Sequence, residues 1–500
     1  MNTRSFITTL CWLFASTALA QGIIHPSIGT KAEGGDFKIS LVDKKQNYGG
    51  SADTRDTDIY SPKSVNIHPS GKKYYVNSLE GASTVVFDAE TNKKLKVIHH
   101  EFKAKDAALF SEPSEFYRFT HYTNRNVNVF TGKPVESTFS HNGRYLWVPY
   151  YRRNFDINAQ DPSAVAIIDT RTDSIVRVME TGALPKMVAT SHDGRYVVIT
   201  HWGENTVGFI DISSAKPTDW HHVACVEIDK KLQLNYSLTT PVNRDNGSGN
   251  ALRGTVFTPD DKYLLVGCMG GNGGIGVIDV ENFKCIGKLT GMMSNVRHLA
   301  IRGDYLYLSI NAAGYVQRMP LDRVLETISH MNGGHTALTG WQNCKVGAGA
   351  RTIELTPDGR YLFAACNLES TVYVVDTRSF SVITRIAADS YPVGLDVSKD
   401  GRFVYTTSQG RKNGGGNCVD IYSIDYPGIE QNAKANTEEI NAALADLNGT
   451  ADEAEEAEEV EAEKTVNRQL STINRPWMWA AGGGILLLGC GIIAHHRRKH

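Results

Sequence analysis

The chain has 500 residues, of which 41% are hydrophobic and 21% charged, and its formal net charge is −2. This composition excludes disordered and collagen-like proteins, and it provides enough apolar residues for a large core. The net charge hides an uneven distribution, because residues 430–470 alone carry −9 and the C-terminal tip is basic. The remaining body is close to neutral, so a polybasic nucleic-acid-binding protein is excluded and no nucleic-acid partner is expected.

The N-terminus has the pattern of an export signal. Arg4 precedes an apolar stretch, and the small residues at the end of segment 1–20 suit a signal peptidase. The sequence therefore predicts a signal peptide over 1–20, followed by a short lead-in over 21–34.

The C-terminus has the pattern of a membrane anchor. Residues 476–494 form an uncharged run that begins with interfacial tryptophans and precedes the basic tip 495–500. Such a run is long enough to span a bilayer as one transmembrane helix, with its basic end in the cytoplasm and the body on the extracytoplasmic side of the cell envelope. A sorting tail that is removed at the cell surface is the alternative. The acidic segment 429–475 is predicted to be a stalk or linker.

The body between these ends is a repeat. A turn phrase of Ser or Thr, a Pro or His, Asp-Gly or Asn-Gly, a basic residue and an aromatic residue recurs in seven copies, at residues 68–72, 140–145, 191–196, 258–263, 302–305, 356–361 and 398–403. Each copy joins two alternating apolar runs, which indicates a β-hairpin, and two further runs follow most copies. Four short strands per repeat predict an all-β, seven-bladed β-propeller over residues 35–428. Residues 37–42 have no turn phrase and are expected to supply the outer strand of the last blade.

The turn phrase and the Val-Val-Asp-Thr run at 374–377 resemble the YVTN-type β-propeller repeats of exported bacterial and archaeal proteins. The resemblance covers the whole predicted propeller. It implies the fold but no single function, because similar propellers include surface proteins, lactonases and cofactor-bearing oxidoreductases.

A set of cationic residues occupies one repeat position near the start of the first strand of each blade, where a propeller opens its central channel. Alignment on the turn places these residues there: Lys63, Val135, Lys186, Arg253, Arg297, Arg351 and Val393. Five of the seven are cationic, which favours a channel mouth that binds an anion. Duplication of a residue tolerated at this position, with each cation paired in its own blade, is the competing interpretation.

Further candidates lie beside this position. The loops between second and third strands share the mouth and carry Arg152, His201 and Trp202, while His298 follows Arg297. The long connections 99–133 and 230–250 are expected to cover the same face. A short helix is expected over residues 321–330, on the opposite face.

These features predict a non-catalytic, membrane-tethered binding protein whose partner is an anionic small molecule, a glycan or a protein. The alternative is a lactonase-like hydrolase, which needs a carboxylate or histidine beside the arginines, and Glu354 and Asp396 are the available acids. No cofactor is expected, since a haem-attachment motif is absent, and no spacing of Cys and His predicts a metal site. The six body cysteines are expected to be mostly free, buried thiols.

Overall fold

A computed structural model describes residues 25–48, 54–234, 236–411 and 414–448. The predicted signal peptide, membrane span and basic tip, together with the acidic residues after 448, fall outside these ranges. Among the described residues, no helix is both long and apolar enough to cross a membrane.

The strands follow one another around a ring of seven antiparallel sheets. The N-terminal strands are β1 (Lys31–Gly34) and β2 (Phe37–Gln46). Blade 1 contains β3 (Pro62–Ile67), β4 (Lys73–Ser78), β5 (Ser83–Asp88) and β6 (Lys94–His99). Blade 2 contains β7 (Glu101–Phe102), β8 (Phe130–Pro134), β9 (Thr138–Ser140), β10 (Tyr145–Arg153), β11 (Ser163–Asp169) and β12 (Ser174–Thr181). Blade 3 contains β13 (Pro185–Thr190), β14 (Tyr196–His201), β15 (Thr206–Asp211) and β16 (His221–Glu227).

The second half of the ring repeats this order with one insertion. Blade 4 contains β17 (Leu252–Phe257), β18 (Tyr263–Cys268), β19 (Ile275–Asp279) and β20 (Lys284–Thr290). Blade 5 contains β21 (Val296–Arg302), β22 (Tyr305–Ile310), β23 (Tyr315–Pro320) and β25 (Gln342–Lys345), and its insertion holds α1 (Leu321–Ser329) and β24 (His335–Ala337). Blade 6 contains β26 (Ala350–Leu355), β27 (Tyr361–Cys366), β28 (Thr371–Asp376) and β29 (Ser381–Ala387). Blade 7 contains β30 (Pro392–Val397), β31 (Phe403–Ser408) and β32 (Cys418–Asp425).

The recurring turn phrase forms the hairpin between the first and second strands of each blade. In blade 6, the Thr356 hydroxyl donates to Asp358 at 2.6 Å, and Asp358 accepts the backbone N–H of Arg360 at 3.0 Å. Gly359 between them has a left-handed φ of 69°, which favours glycine. The phrase recurs because each of its residues supplies one part of the turn, and it predicts the blades correctly for that reason.

The predicted closure of the ring is confirmed. The N-terminal strand β2 pairs antiparallel with β32 as the fourth strand of blade 7, and β1 adds a fifth strand outside it. The first strands of blades 7 and 1, β30 and β3, contact each other across the closure. In the described residues, seven buried apolar clusters fill the seven spaces between neighbouring blades. Every sheet is therefore covered on both faces.

A buried ion network fastens β2 to the last blade. The Lys44 ammonium on β2 lies 3.0 Å from Asp389 and 3.3 Å from Asp420, and both carboxylates are completely buried. Burial by itself would raise the pKa of Asp389, but Lys44 and the backbone N–H of Gly416 hold it below its usual value. The Tyr48 hydroxyl also donates to Asp389, at 2.9 Å. Closure therefore depends on ion pairs between Lys44, near the start of the propeller sequence, and two carboxylates near its end.

Two helices follow the propeller, α2 (Glu430–Ala435) and α3 (Thr437–Asn448). They lie in the segment predicted as the start of the stalk, but they pack against the ring. The Asn432 amide donates to the Tyr426 hydroxyl at 2.6 Å, and Lys399 forms an ion pair with Glu439 at 2.6 Å. The first residues of the predicted stalk thus belong to the propeller body, because their polar side chains find partners on blade 7.

Two smaller predictions are confirmed. The insertion after β23 forms α1, whose Leu321, Val324 and Ile328 side chains are buried. The six cysteines of the body are free: Cys225, Cys268, Cys285, Cys344, Cys366 and Cys418.

Replacement of Lys44 by methionine should destabilise the protein strongly. The Lys44→Met variant leaves Asp389 and Asp420 buried without their cation, and loss of one partner of a buried ion pair costs about 3–5 kcal/mol. The free energy of unfolding, measured by urea denaturation, should fall by that amount. Lys38→Met, an exposed change on the same strand, is the control and should stay within about 0.5 kcal/mol of the wild type. Equal stability of the two variants would contradict the role of Lys44 in closure.

Candidate functional site

The five predicted cations occupy equivalent places in the structure. Each is the second residue of the first strand of its blade: Lys63 on β3, Lys186 on β13, Arg253 on β17, Arg297 on β21 and Arg351 on β26. In each of these strands the pairing register shifts at that residue, which marks a β-bulge. A bulge leaves its residue unpaired and turns the side chain away from the regular alternation. The repeat therefore uses a backbone irregularity to aim these side chains; together they are called the cation ring below.

A left-handed residue precedes each bulge by two positions. These residues are Ser61, Leu184, Ala251, Asn295 and Gly349, with φ between 49° and 77°. Leucine and alanine reach this region only at a cost of about 1–2 kcal/mol. Blade 7 has the same arrangement, with Tyr391 before the bulge at Val393. Six of the seven first strands are thus entered through a left-handed residue, which is strained where that residue carries a β-carbon, and such strain is often found at functional sites.

The cation ring is buried. Lys63, Lys186, Arg253 and Arg351 are between 4% and 9% exposed, and Arg297 is half-buried. Burial and the nearby guanidinium groups of Arg351 and Arg253 lower the pKa of Lys63 well below its usual value. The same effects lower the pKa of Lys186 and of Arg297. Guanidinium groups of other blades thus lower the pKa values of Lys63, Lys186 and Arg297. The side chains of the cation ring therefore lie near one another across the blades.

The two lysines differ in their surroundings. Lys186 lies 3.2 Å from the carboxylate of Asp245 and 3.9 Å above the ring of Tyr151, so it has an ion pair and a cation–π contact. For Lys63, the Glu136 carboxylate is the nearby charge that opposes the effects of burial and of the guanidinium groups. A bound anion would add a second opposing charge beside this side chain, which is only 9% exposed.

The three arginines are also incompletely satisfied. Burial and the neighbouring Arg253 lower the pKa of Arg351 to about 10. Arg297 reaches only a weak acceptor, the Met269 sulfur at 3.2 Å. Within the described part of the chain, the buried Nη1 of Arg253 has no hydrogen-bond partner. Guanidinium groups stay protonated in proteins, so this face of the channel holds fixed positive charge with free donors.

Two carboxylates oppose the ring. Glu136, next to the ring position Val135 in blade 2, raises the pKa of Lys63 against the effect of burial, and it acts in the same direction on the other four cations. Asp245 comes from the long connection 230–250. Sequence reasoning missed both residues. An alignment of the position that follows each ring residue would have found Glu136, which occupies the same repeat position as His298. Two carboxylates for five cations leave the site positively charged.

A cavity of about 320 Å³ extends along the channel below the cation ring. Its lining includes Glu136 and His298 beside the cations, Glu354 and Asp396 two residues further along the strands, and His192 in a hairpin turn at the other end. Burial and the Glu354 carboxylate raise the pKa of Asp396 to about 7. The channel is therefore cationic at one end and carries carboxyl groups further in, and the alternation of β26 and β30 brings both predicted acids into it.

The remaining predicted site residues have different positions. Trp202 lies beside the ring, with Lys186 at 5.2 Å and Arg253 at 5.8 Å from its indole. Arg152 donates to the Ile157 carbonyl within its own loop. His201 does not reach the mouth, because its fully buried imidazole packs against Tyr117 and bonds Thr206 at 2.9 Å.

The two long connections meet over blades 2 and 3. His121 of the first connection bonds the Tyr236 carbonyl of the second. The indole of Trp202 donates to the Arg244 carbonyl at 3.1 Å, which holds the second connection beside Lys186. The second connection therefore lies beside Lys186, and its Asp245 carboxylate forms an ion pair with that ammonium.

Comparisons with known proteins identify the fold. No protein-family model matches the chain. The β subunit of hydrazine synthase from Kuenenia stuttgartiensis is 24% identical in an alignment 252 residues long that covers 43% of this chain and 59% of that subunit. Among solved structures, Kuenenia stuttgartiensis hydrazine synthase matches 76% of this chain and 99% of that one, with 14% identity and a TM-score of 0.51. The β-propeller domain of Cps50 (Swd1) from Myceliophteria thermophila matches 73% of this chain and 97% of that one, with 11% identity and a TM-score of 0.48.

The matched sequence region thus spans about three-fifths of the curated relative. At these identities the hydrazine synthase match shows a shared fold alone, the seven-bladed β-propeller follows from the strand order of this chain, and the activity is argued from the site residues.

Replacement of a ring arginine by an apolar residue should stabilise the fold. Arg351→Leu removes a buried cation that lies among four others, and exchange of buried charges for apolar groups typically adds about 1–3 kcal/mol. The measurement is the free energy of unfolding in low-salt buffer. Arg360→Leu is the matched control, because Arg360 lies in the turn phrase with its Nε 3.4 Å from Asp376. A loss of stability in Arg351→Leu alone would show that the fold itself satisfies this guanidinium.

Proposed function

We propose that the protein is an exported binding protein that holds a small anion in the cation ring, without catalysis. The observation that carries this proposal is the convergence of five cations from five blades, four of them less than a tenth exposed, on a site with two opposing carboxylates. Evolution retains such an arrangement against its cost to stability where the charge has a use. An anion with two or more oxygens satisfies the free donors of Lys63, Arg253 and Arg351 and neutralises the excess charge.

The burial of the ring favours a small molecule over the glycan and protein partners. The lysines and two of the arginines expose less than a tenth of their surface, so the flat surface of another protein cannot contact them. The cavity of about 320 Å³ is lined by residues that follow the ring cations along their strands, and the five cations themselves do not line it. A small ligand in this cavity would hold its carboxylate or phosphate at the end nearest the cations. The cavity therefore favours a metabolite-sized ligand.

The carboxyl groups further along the channel narrow the ligand class. Glu354 and Asp396 follow the ring residues of their strands by three positions, which is roughly 10 Å at 3.3 Å per residue. A carboxylate accepts hydrogen bonds, and with a pKa near 7 the Asp396 side chain both accepts and donates at neutral pH. An acid with hydroxyl groups several atoms from its charge, such as a sugar acid, matches both ends of the channel.

A lactonase-like hydrolase is the second candidate, and the position of His298 favours it. The imidazole lines the cavity beside the cations, burial lowers its pKa, and its Nδ1 has no partner in the described residues. A neutral imidazole with a free nitrogen can act as a general base. One assay with a sugar lactone distinguishes the two candidates. A binding protein binds the lactone and leaves it intact, whereas a hydrolase opens its ring.

The proposal also includes the cellular location of the protein and the family to which it belongs. A signal peptide, a C-terminal membrane helix and the acidic residues after 448 as a spacer would place the propeller on the outer side of a membrane. Membership of the YVTN-type propellers is proposed on the turn phrase. Exposure of the propeller to the outside suits the capture of a small anion from the surroundings.

Removal of the ring arginines should abolish anion binding. In a triple variant with Arg253, Arg297 and Arg351 changed to alanine, the affinity for glucuronate or inorganic phosphate, measured by isothermal titration calorimetry, should fall at least about 100-fold, because each charge-assisted contact contributes about 1.5–3 kcal/mol.

The matched control changes Arg195 and Arg360 of the turn phrase to alanine, and it should bind like the wild type. The same titrations have a second readout. An anion raises the depressed pKa of Lys63, so binding takes up a proton and the affinity should fall as the pH rises through that pKa. A wild-type protein that binds neither anion, or a triple variant with unchanged affinity, would refute the proposal.

Truncation before Trp477 should release the propeller from membranes. The shortened chain lacks the apolar run, so it should appear in the soluble fraction after cell fractionation, while the full chain sediments with membranes. A Glu455→Gln and Glu456→Gln variant of the full chain is the control for the acidic segment. A truncated chain that still sediments with membranes would show that the anchor lies elsewhere.

A further inference from the structure

A second cluster of polar side chains lies inside blade 3, away from the cation ring. One nitrogen of His201, one carboxylate oxygen of Glu204 and the Cys225 sulfur lie within 4.8 Å of one another. Strand pairing brings them together, since His201 faces Thr206 across β14 and β15, and Cys225 faces Gly208 across β15 and β16. His201 ends β14, Glu204 follows in the turn before β15, and Cys225 lies on β16 of the same sheet.

The His201 imidazole is presented in the form that binds metals. The Thr206 hydroxyl donates to the Glu204 carboxylate at 3.1 Å. The Thr206 oxygen therefore accepts from Nδ1 of His201, at 2.9 Å. The lone pair then resides on Nε2, which is buried and has no hydrogen-bond partner among the described residues. An imidazole whose second nitrogen donates to a neighbour is the usual arrangement of a metal-ligating histidine.

The other members of the cluster also lack complete partners. The Glu204 carboxylate accepts the backbone N–H of Ala183 at 3.0 Å, and Lys231, half-exposed, lies 4.0 Å from it. The buried hydroxyl of Tyr117 has the Cys225 thiol, a weak hydrogen-bonding group, as its neighbour. Four polar side chains thus face one another, with His201, Glu204 and Tyr117 buried and Cys225 half-buried.

The chain contains an instructive counterpart in blade 7. Asp389, Cys418 and Asp420 form a buried cluster with similar spacing. There the Lys44 ammonium already supplies the cation, at 3.0 Å and 3.3 Å from the two carboxylates. In blade 3 no ammonium or guanidinium of the described residues approaches the cluster as closely.

We propose that His201, Glu204 and Cys225 bind a divalent transition-metal ion of the borderline class, with Zn²⁺ as its typical member. Nitrogen, oxygen and sulfur donors together suit this class. Tetrahedral ligand atoms at 2.0–2.3 Å from a metal lie roughly 3.3–3.6 Å apart, so the donors need to approach by about 1 Å. A divalent ion with one thiolate, one carboxylate and one neutral imidazole has no net charge, which suits a largely buried site.

The ion gives the cluster a structural role. Tyr117 belongs to the long connection 99–133, and its ring packs edge-on against both His201 and His222, with centroids 5.4 Å and 5.3 Å away. A metal beside its hydroxyl fastens this connection to blade 3. A surface cavity of about 260 Å³ that includes Phe116 and His222 in its lining lies next to Tyr117 and offers an entry path.

The test loads the full chain with cobalt, because Co²⁺ bound to a thiolate absorbs in the near ultraviolet. The protein is produced in cobalt-supplemented medium, so that the ion can enter during folding. We expect one Co²⁺ per chain by elemental analysis and a thiolate-to-cobalt charge-transfer band. Cys225→Ser should lose the band, and Thr206→Val, which removes the hydroxyl that orients two ligands, should weaken binding about 10–100-fold.

Cys418→Ser is the matched control, because its cluster already holds Lys44, and it should keep the band. The wild-type spectrum decides the question even where a variant does not fold. A wild-type chain without the band, or a Cys225→Ser chain that retains it, overturns the proposal. Cobalt that binds without this band is held by side chains other than Cys225, and this result also overturns the proposal.

Discussion

The structure depends on the pairing of β2 with β32. Without this pairing the last blade would expose an unpaired edge, and the space between blades 7 and 1 would open. The Lys44 ammonium adds a buried ionic link to two carboxylates of blade 7. A closed ring lets each sheet bury both faces against its neighbours, and the strained entry turns can be retained because the rest of the ring holds them.

Closure also creates the candidate site. The cations start on strands that are far apart in sequence, and only the circular arrangement points them at a common axis. Their mutual repulsion is a cost that each blade alone would not carry, since an isolated blade would leave its lysine or arginine in solvent. The bulge at the second residue of each first strand directs the side chain inward. The site therefore follows from symmetry together with one repeated backbone irregularity.

The two buried carboxylate–cysteine clusters show how similar residues serve different purposes. In blade 7 the cation is a lysine from the other end of the chain, which makes the cluster part of closure. In blade 3 the neighbouring groups are a neutral imidazole, a hydroxyl and a phenol. The neighbouring strand therefore determines whether such a cluster has a lysine as its cation. The residues of the cluster alone do not predict this.

Sequence alone determined the seven blades, the hairpin turns and the outer strand at residues 37–42, because turn chemistry and alternation are local properties that repeat. It also placed five cations at one repeat position. Only the tertiary structure decided that these cations are buried together, that Glu136 and Asp245 oppose them, and that His201 lies inside blade 3 beside Glu204 and Cys225. The packing of residues 430–448 on the ring was likewise beyond the sequence. The reason is that burial, mutual repulsion and cross-strand neighbours depend on which parts of the chain meet in space, and a repeat phrase carries no record of those distances.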